Sequence, residues 1–142
     1  MKRFTQLACL ILIFSMVLAI PVFAAETGTR ASDYFMASSC YLYIISNTEF
    51  EVWFDVTSIR MMDELGASEI KVQRSTDKQN WSTVQTYSKE DYPQMICTNT
   101  GSHADCVTYS SAESGYYYRA MVTLYAKNST GIAEYIRYTS YI

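Results

Sequence analysis

The chain has 142 residues, 49% of them hydrophobic and 15% aromatic, and its 11 basic and 14 acidic side chains give a net charge of −3. A chain of this length suits a single domain with a real hydrophobic core. The acidic balance makes nucleic acid and anionic membranes poor partners, because both bind through clustered positive charge.

The N-terminus has the layout of an export signal. Lys2 and Arg3 precede an apolar run at residues 7–20, and small residues follow it. We predict cleavage after Ala24, because the run is shorter than the roughly 20 residues that span a bilayer; an uncleaved anchor is the alternative. Cleavage would give a secreted protein without a membrane span, with nine basic and fourteen acidic side chains and all thirteen tyrosines.

The sequence after the signal divides into a leader and one folded domain. Residues 25–39 are small and polar, and we interpret them as a flexible leader before a domain at 40–142. Within that domain, runs rich in β-branched and aromatic residues are separated by turn residues. Seven strands are predicted, at residues 40–46, 50–57, 69–75, 81–88, 107–110, 115–128 and 132–141.

The strand predicted at 115–128 has the clearest pattern, because apolar side chains recur at every second residue. Tyr118 and Val122 lie on one face of it, and Arg119 and Tyr125 lie on the other. A period of two over this length is typical of a long strand with one face in the core. We expect the other strands to pair with it and cover that face.

Two stretches lack this period. Residues 58–68 are acidic, contain Met61 and Met62 and include Gly66, and we predict one helical turn or a structured loop there. Residues 89–101 contain a proline and no regular pattern, and they predict a long loop.

Short strands at regular spacing, without a long amphipathic helix, favour an all-β antiparallel sandwich. Four segments, EIKVQRS at 69–75, NWSTV at 80–84, GYYYRA at 115–120 and NSTG at 128–131, resemble in this order the back half of a bacterial fibronectin type III or immunoglobulin-like domain. The resemblance implies a β-sandwich of about seven strands. Trp53 departs from the pattern, because it lies on the outward face of its predicted strand.

A second resemblance covers most of the chain. The segments FEVWFDV at 50–56, MDELGA at 62–67, DYPQM at 91–95 and TGSH at 100–103 are similar to an uncharacterised family of small exported proteins, a domain of unknown function, from gut Gram-positive bacteria. This resemblance implies export and a bacterial source. It brings no activity, ligand or cofactor with it.

Three cysteines remain after the predicted cleavage: Cys40, Cys97 and Cys106. An odd number excludes a fully paired framework, and an exported protein can still form one bridge. The turn-rich residues between Cys97 and Cys106 would allow these two to pair and leave Cys40 free. The alternative is that all three are reduced, with Cys40 half-buried as a small apolar side chain.

His103 is the sole histidine of the sequence, so any histidine-dependent chemistry has to use it. A hydrolase would need His103 as base, Ser102 or Cys106 as nucleophile and a carboxylate such as Asp105. A zinc site would combine His103 with Cys97 and Cys106. The interpretation that we favour is a polar turn, with no catalytic residue, metal or cofactor.

The feature that points most directly to function is aromatic. Trp53, Tyr117 and Tyr125 are predicted on the outer faces of their strands, and we add Tyr92 and His103 from the neighbouring loop as candidate binding residues. Flat rings on a sheet surface bind sugar rings or partner proteins. The alternative is that these rings pack on one another or under the loop at 89–101.

The sequence therefore predicts a secreted, non-enzymatic binding or interaction module whose partner is an extracellular protein or a glycan. Its contact surface would include the outer aromatic residues and the loops around 61–67 and 92–103. Two alternatives stay open: a structural or envelope-associated protein without a small ligand, and a small hydrolase centred on His103.

Overall fold

The computed structural model describes residues 33–142. The predicted signal peptide and residues 25–32 of the predicted leader lie outside the described residues. Within residues 33–142, no helix is long and apolar enough to cross a membrane. The strands and a 3₁₀ turn follow in the order β1 (Phe35–Ile44), β2 (Phe50–Ser75), β3 (Ser82–Ser88), the turn (Pro93–Met95), β4 (Ile96–Tyr109), β5 (Tyr117–Asn128) and β6 (Gly131–Tyr138).

The sheet is organised around β2, which is 26 residues long and pairs with four other strands. The first half of β2 lies between β1 and β4, and the second half lies between β5 and β3. The sixth strand, β6, pairs with the free side of β5. Since every pair is antiparallel, the described residues form one antiparallel sheet in which two halves share a single strand.

The sheet curls into a half-barrel, so the two halves of β2 face each other. A straight strand of this length would span about 80 Å. The Phe50 ring at the start of β2 nevertheless lies 5.5 Å from the ring of Tyr118, which is paired with Arg74 near the end of β2. Tyr109 completes this aromatic cluster at 5.3 Å from Phe50.

The core lies on the inner face of this curl, and its side chains follow the period of two that the sequence shows. From the first half of β2 come Phe50, Val52, Phe54 and Val56, and from β5 come Ala120, Val122, Leu124 and Ala126, all at most 1% exposed. The hydroxyl of Tyr87 donates to the Thr108 carbonyl oxygen at 2.8 Å, which joins β3 to β4 where they lack backbone pairing. The predicted inward face of the strand at 115–128 is confirmed.

One gap of the half-barrel lies between the edge strands β1 and β6, which contact each other through side chains. The Arg137 Nε donates to Ser38 Oγ at 2.9 Å. The rings of Phe35 and Tyr135 lie 6.4 Å apart. These contacts hold the two edge strands together without a ladder of backbone hydrogen bonds.

The prediction of a helical turn or loop at 58–68 is wrong, because β2 runs through it without interruption. A register shift between Thr57 and Met62 turns the strand, and the buried Ser58 hydroxyl donates to the Arg60 carbonyl oxygen at 2.6 Å there. Beyond the shift, Leu65 pairs with β4 on one side and with β5 on the other. Pairing on both sides fixes an extended backbone whatever the local pattern favours.

The prediction of a long loop at 89–101 followed by a short strand at 107–110 is also wrong. After the turn at Pro93–Met95, β4 begins at Ile96 and runs for 14 residues. Likewise β1 begins at Phe35, five residues before the predicted start at Cys40. The hairpin of β5 and β6 and the strand β3 lie where they were predicted.

The all-β antiparallel class is confirmed. The described residues give six strands in one curled sheet, and the seven-stranded fibronectin-like sandwich is not confirmed.

Candidate functional site

A cluster of aromatic rings and cations covers the outer face of the sheet, where β5 lies beside the end of β2. We call it the aromatic platform. It consists of the rings of Trp81, Tyr117, Tyr138 and Tyr141 and the cationic groups of Lys78 and Arg119.

The turn between β2 and β3 fixes one side of the platform. The Asp77 carboxylate accepts hydrogen bonds from the backbone N–H groups of Gln79 at 2.9 Å and Asn80 at 2.8 Å. These bonds, with that from the Asn80 side chain, hold the pKa of the Asp77 carboxyl well below its usual range. The turn places Lys78 at φ 61°, a left-handed backbone that non-glycine residues seldom adopt. The Lys78 carbonyl oxygen then accepts the indole N–H of Trp81 at 3.2 Å.

The C-terminal segment fixes the opposite side. The backbone of Ile142 both donates to and accepts from Tyr118, at 3.0 and 3.1 Å, so the residues after β6 lie along β5. This places the Tyr141 ring 5.8 Å from the Tyr117 ring in an edge-to-face arrangement. The Lys78 ammonium lies 4.2 Å from the centre of Tyr117 and 4.7 Å from the centre of Tyr141.

Arg119 occupies the centre of the platform, between two rings. Its guanidinium carbon lies 4.3 Å from the centre of Trp81 and 4.8 Å from the centre of Tyr138. Its Nε donates to the Gln73 side-chain oxygen at 2.9 Å. Each cation–π contact of this kind contributes about 0.5–1 kcal/mol at an exposed site. The arrangement therefore holds both cations in defined positions while Tyr138 and Tyr141 stay half-exposed, at 53% and 50%.

Among the candidate binding residues from the sequence, Tyr117 belongs to the platform and the other four do not. Trp53 stacks on Tyr41 at 6.3 Å on the outer face of the other half of the sheet, and its indole N–H donates to Glu51 at 2.7 Å. Tyr125 lies on the outer face but is 5% exposed, because the Lys89 ammonium covers its ring at 3.8 Å. The alternative that rings pack under the segment beginning at Lys89 is thus correct for Tyr125.

Tyr92 and His103 belong to the core side of the sheet. Tyr92 packs edge-on against Tyr87 at 5.1 Å, and burial raises the pKa of Tyr87 to about 12. The His103 ring packs against Phe54 at 5.6 Å, and its Nε2 lies 3.0 Å from the Gln94 carbonyl oxygen. Neither ring presents a free face beside the platform.

His103 is also separated from its neighbouring nucleophiles. Successive side chains of a strand point to opposite faces, so Ser102 and Cys106 of β4 lie on the face opposite to His103. Burial raises the pKa of the Cys106 thiol, and the Glu51 carboxylate raises it further. A raised pKa lowers the fraction of reactive thiolate. Asp105 shares the His103 face, where its Oδ2 is buried without a hydrogen-bond partner among the described residues.

Of the two alternatives for the cysteines, the structure contradicts the bridge between Cys97 and Cys106 and agrees with three reduced thiols. Both residues lie in β4, nine positions apart, which corresponds to roughly 30 Å of extended strand. A disulfide requires Cα atoms about 4.4–6.8 Å apart. Cys40, Cys97 and Cys106 are all free thiols, and within residues 33–142 no three His, Cys, Asp or Glu side chains converge as a metal site.

A small cleft of about 240 Å³ opens at the end of the half-barrel, over the cluster of Phe50 and Tyr118. Tyr116 and Ile142 form its walls, and Glu113 lies at its rim. Pockets for small ligands usually enclose about 300–1,000 Å³. The cleft is therefore smaller than a usual ligand site.

Sequence reasoning missed most of the platform: Lys78, Trp81, Arg119, Tyr138 and Tyr141. One signal was present, because Arg119 is two residues after Tyr117 and therefore lies on the same outward face of the strand. The register of β6, which pairs Tyr138 with Met121, brings Tyr138 near, and the backbone pairing of Ile142 with Tyr118 brings Tyr141 near. No protein-family model matches the chain, and no curated protein matches it.

Proposed function

We propose that this chain is an exported, non-enzymatic binding module and that the aromatic platform is its contact surface. The observation that supports this proposal is the convergence of four aromatic rings and two cations on one sheet face. Aromatic side chains combine a large apolar face with a polar edge, and they are enriched where proteins bind partners.

Rigidity favours the platform as a binding surface. Ordering a mobile side chain on binding costs about 0.5–1.5 kcal/mol. The hydrogen bonds of the Asp77 turn and the pairing of Ile142 with Tyr118 already hold the rings in the free protein. Ligand binding would therefore lose little side-chain entropy.

The proposal includes export by the N-terminal signal and membership of the exported gut bacterial family that the sequence resembles. It also includes a fibronectin-like sandwich as the framework. The contact between Phe50 and Tyr118, which brings the two halves of the sheet face to face, supports that framework.

The test uses the purified chain from Ala25 onward on an array of neutral and acidic glycans. We expect binding, and we expect the double variant Tyr138→Ala, Tyr141→Ala to bind roughly fourfold to a hundredfold more weakly, at two- to tenfold for each ring. Tyr43→Ala is the matched control, because Tyr43 is 59% exposed on β1 and lies outside the platform.

Three outcomes would contradict the proposal. A blank array would favour the structural or envelope-associated alternative. An equal loss of binding in Tyr43→Ala would show that the contact surface is not the platform. A hydrolytic activity that disappears in His103→Ala would favour an enzyme.

A further inference from the structure

We propose that the ligand of the aromatic platform is an acidic polysaccharide, a chain of sugars that carry carboxylate groups. This inference rests on the proposed function and adds the class of ligand. The charges of the platform indicate the carboxylates, and its exposed rings indicate the sugar.

Among the described residues, the two platform cations have no carboxylate partner, as is also true of Arg60, Lys89 and Arg137, but Lys78 and Arg119 are the two that lie together on the platform. Three basic side chains form ion pairs, Lys71 with Glu69 at 2.6 Å, Arg74 with Glu113 at 3.1 Å and Lys127 with Glu64 at 2.7 Å. Within residues 33–142, Lys78 and Arg119 have no acidic group within 4.0 Å. In a chain with a net charge of −3, such a pair is a local positive site.

The N–H donors of these cations are available for a ligand. Arg119 uses its Nε for Gln73, and the described hydrogen bonds involve neither its terminal nitrogens nor the Lys78 ammonium. A guanidinium fork matches the two oxygens of a carboxylate, and charge-assisted bonds are stronger than neutral ones. The rings beneath the cations hold these donors in place before the ligand arrives.

The exposed rings favour a sugar acid over an acidic peptide. Tyr138 and Tyr141 present half-exposed rings directly beside the cations. A sugar acid carries an apolar ring face and a carboxylate on the same unit, so one residue of the polymer can use both. An acidic peptide offers the carboxylates without a flat apolar face.

The test measures binding of the chain from Ala25 onward by titration calorimetry with three probes. Sodium polygalacturonate carries the carboxylates, its methyl ester has the same backbone without charge, and poly-L-glutamate carries charge without sugar. We expect binding to polygalacturonate, at least tenfold weaker binding to the ester and to poly-L-glutamate, and weaker binding as the salt concentration rises.

Variants of Lys78 test the contact itself. We expect Lys78→Gln to weaken polygalacturonate binding roughly fivefold, at the upper range for an exposed ion pair, and Lys78→Arg to retain it. The matched control is Lys127→Gln, which removes the same charge from the other end of β5, where Glu64 already pairs with it. This control should bind as the unmodified chain does.

Each contrary result has a distinct meaning. Equal binding of the ester and the acid, or unchanged binding in Lys78→Gln, would overturn the acidic ligand, while a positive array would leave the binding module intact. Poly-L-glutamate binding as tight as polygalacturonate would overturn the saccharide. No binding to polygalacturonate with a blank array would overturn both proposals.

Discussion

Gly66 is expected to be the glycine at which the fold is least tolerant of a substitution. A Cβ atom there would lie 1.9 Å from the carbonyl oxygen and 3.0 Å from the carbonyl carbon of Met95. Met95 is fully buried and ends the 3₁₀ turn, where its N–H donates to Tyr92 at 3.0 Å. The obstacle is therefore backbone inside the core, which a change of rotamer cannot relieve.

The magnitude follows from the displacement that Gly66→Ala would require. The Met95 oxygen would have to move by more than about 1 Å, a strain comparable to overpacking a core at about 1–3 kcal/mol. The backbone pairing of Gly66 with Ile96 would be distorted as well, at about 1 kcal/mol for one hydrogen bond. We expect a loss of roughly 3 kcal/mol in the free energy of unfolding, against a total of about 5–15 kcal/mol for a domain.

Two other glycines supply matched controls for a urea titration at pH 7. Gly101→Ala would place its Cβ 3.8 Å from the Met61 sulfur, an ordinary contact, and should change the unfolding free energy by less than about 1 kcal/mol. Gly115→Ala has open space but a φ of 88°, and it should cost about 1–2 kcal/mol from the backbone alone. If Gly66→Ala were no less stable than Gly101→Ala, the close approach of the turn to β2 would be refuted.

Two further predictions concern acid and thiols. Asp77→Ala should destabilise the chain most above pH 4, because hydrogen bonds lower the folded-state pKa of Asp77 below its unfolded value of about 3.9. As the pH falls through that lowered pKa, the stabilisation by the Asp77 carboxylate disappears. The unfolding midpoints of the unmodified chain and of Asp77→Ala should therefore converge. A difference in midpoint that stays constant with pH would contradict the pKa argument. The chain from Ala25 onward, unfolded without reductant, should titrate three thiols with Ellman's reagent. A count of one free thiol would show that two of the cysteines form a disulfide.

The parts of the fold that the sequence predicts best are those where one face is apolar and the other is not. In β5 the pattern is clearest at Tyr118, Ala120 and Val122, which are more buried than the side chains between them. The first half of β2 has it too, from Phe50 to Val56. A period of two is a local property, so a single sequence is sufficient to find it.

The period of two does not predict that β2 is one continuous strand. The buried apolar positions of β2 are even up to Met62, odd at Leu65 and Ala67, and even again from Ile70, with register shifts between Thr57 and Met62 and between Ala67 and Glu69. No single period of two therefore runs through the strand. Only the partner strands on both sides show that the backbone stays extended.

The strand β4 was missed for a different reason. Between Ile96 and Val107 its composition is small and polar, with Gly101 and His103 where a typical strand has branched apolar residues. These residues are held in the sheet by their pairing with β2, which supplies the large core side chains opposite them. Local propensity therefore gave way to tertiary context.

The platform depends on contacts between segments that are distant in the chain. Trp81 follows a turn, Arg119 lies in β5 and Tyr138 ends β6, and the sequence alone gives no reason to place these three together. Two signals were available from the sequence: an outward-facing position on a strand and an aromatic side chain. They identified Tyr117 but also Trp53, which lies on the other half of the sheet.

The shared strand β2 makes this domain indivisible. Cutting the chain near Ser58 would separate β4 from residues 50–57 of β2, with which it pairs, while β3 and β5 would stay with the second half of β2. Neither fragment would retain a closed hydrophobic interior, since Phe50 and Tyr118 come from opposite pieces.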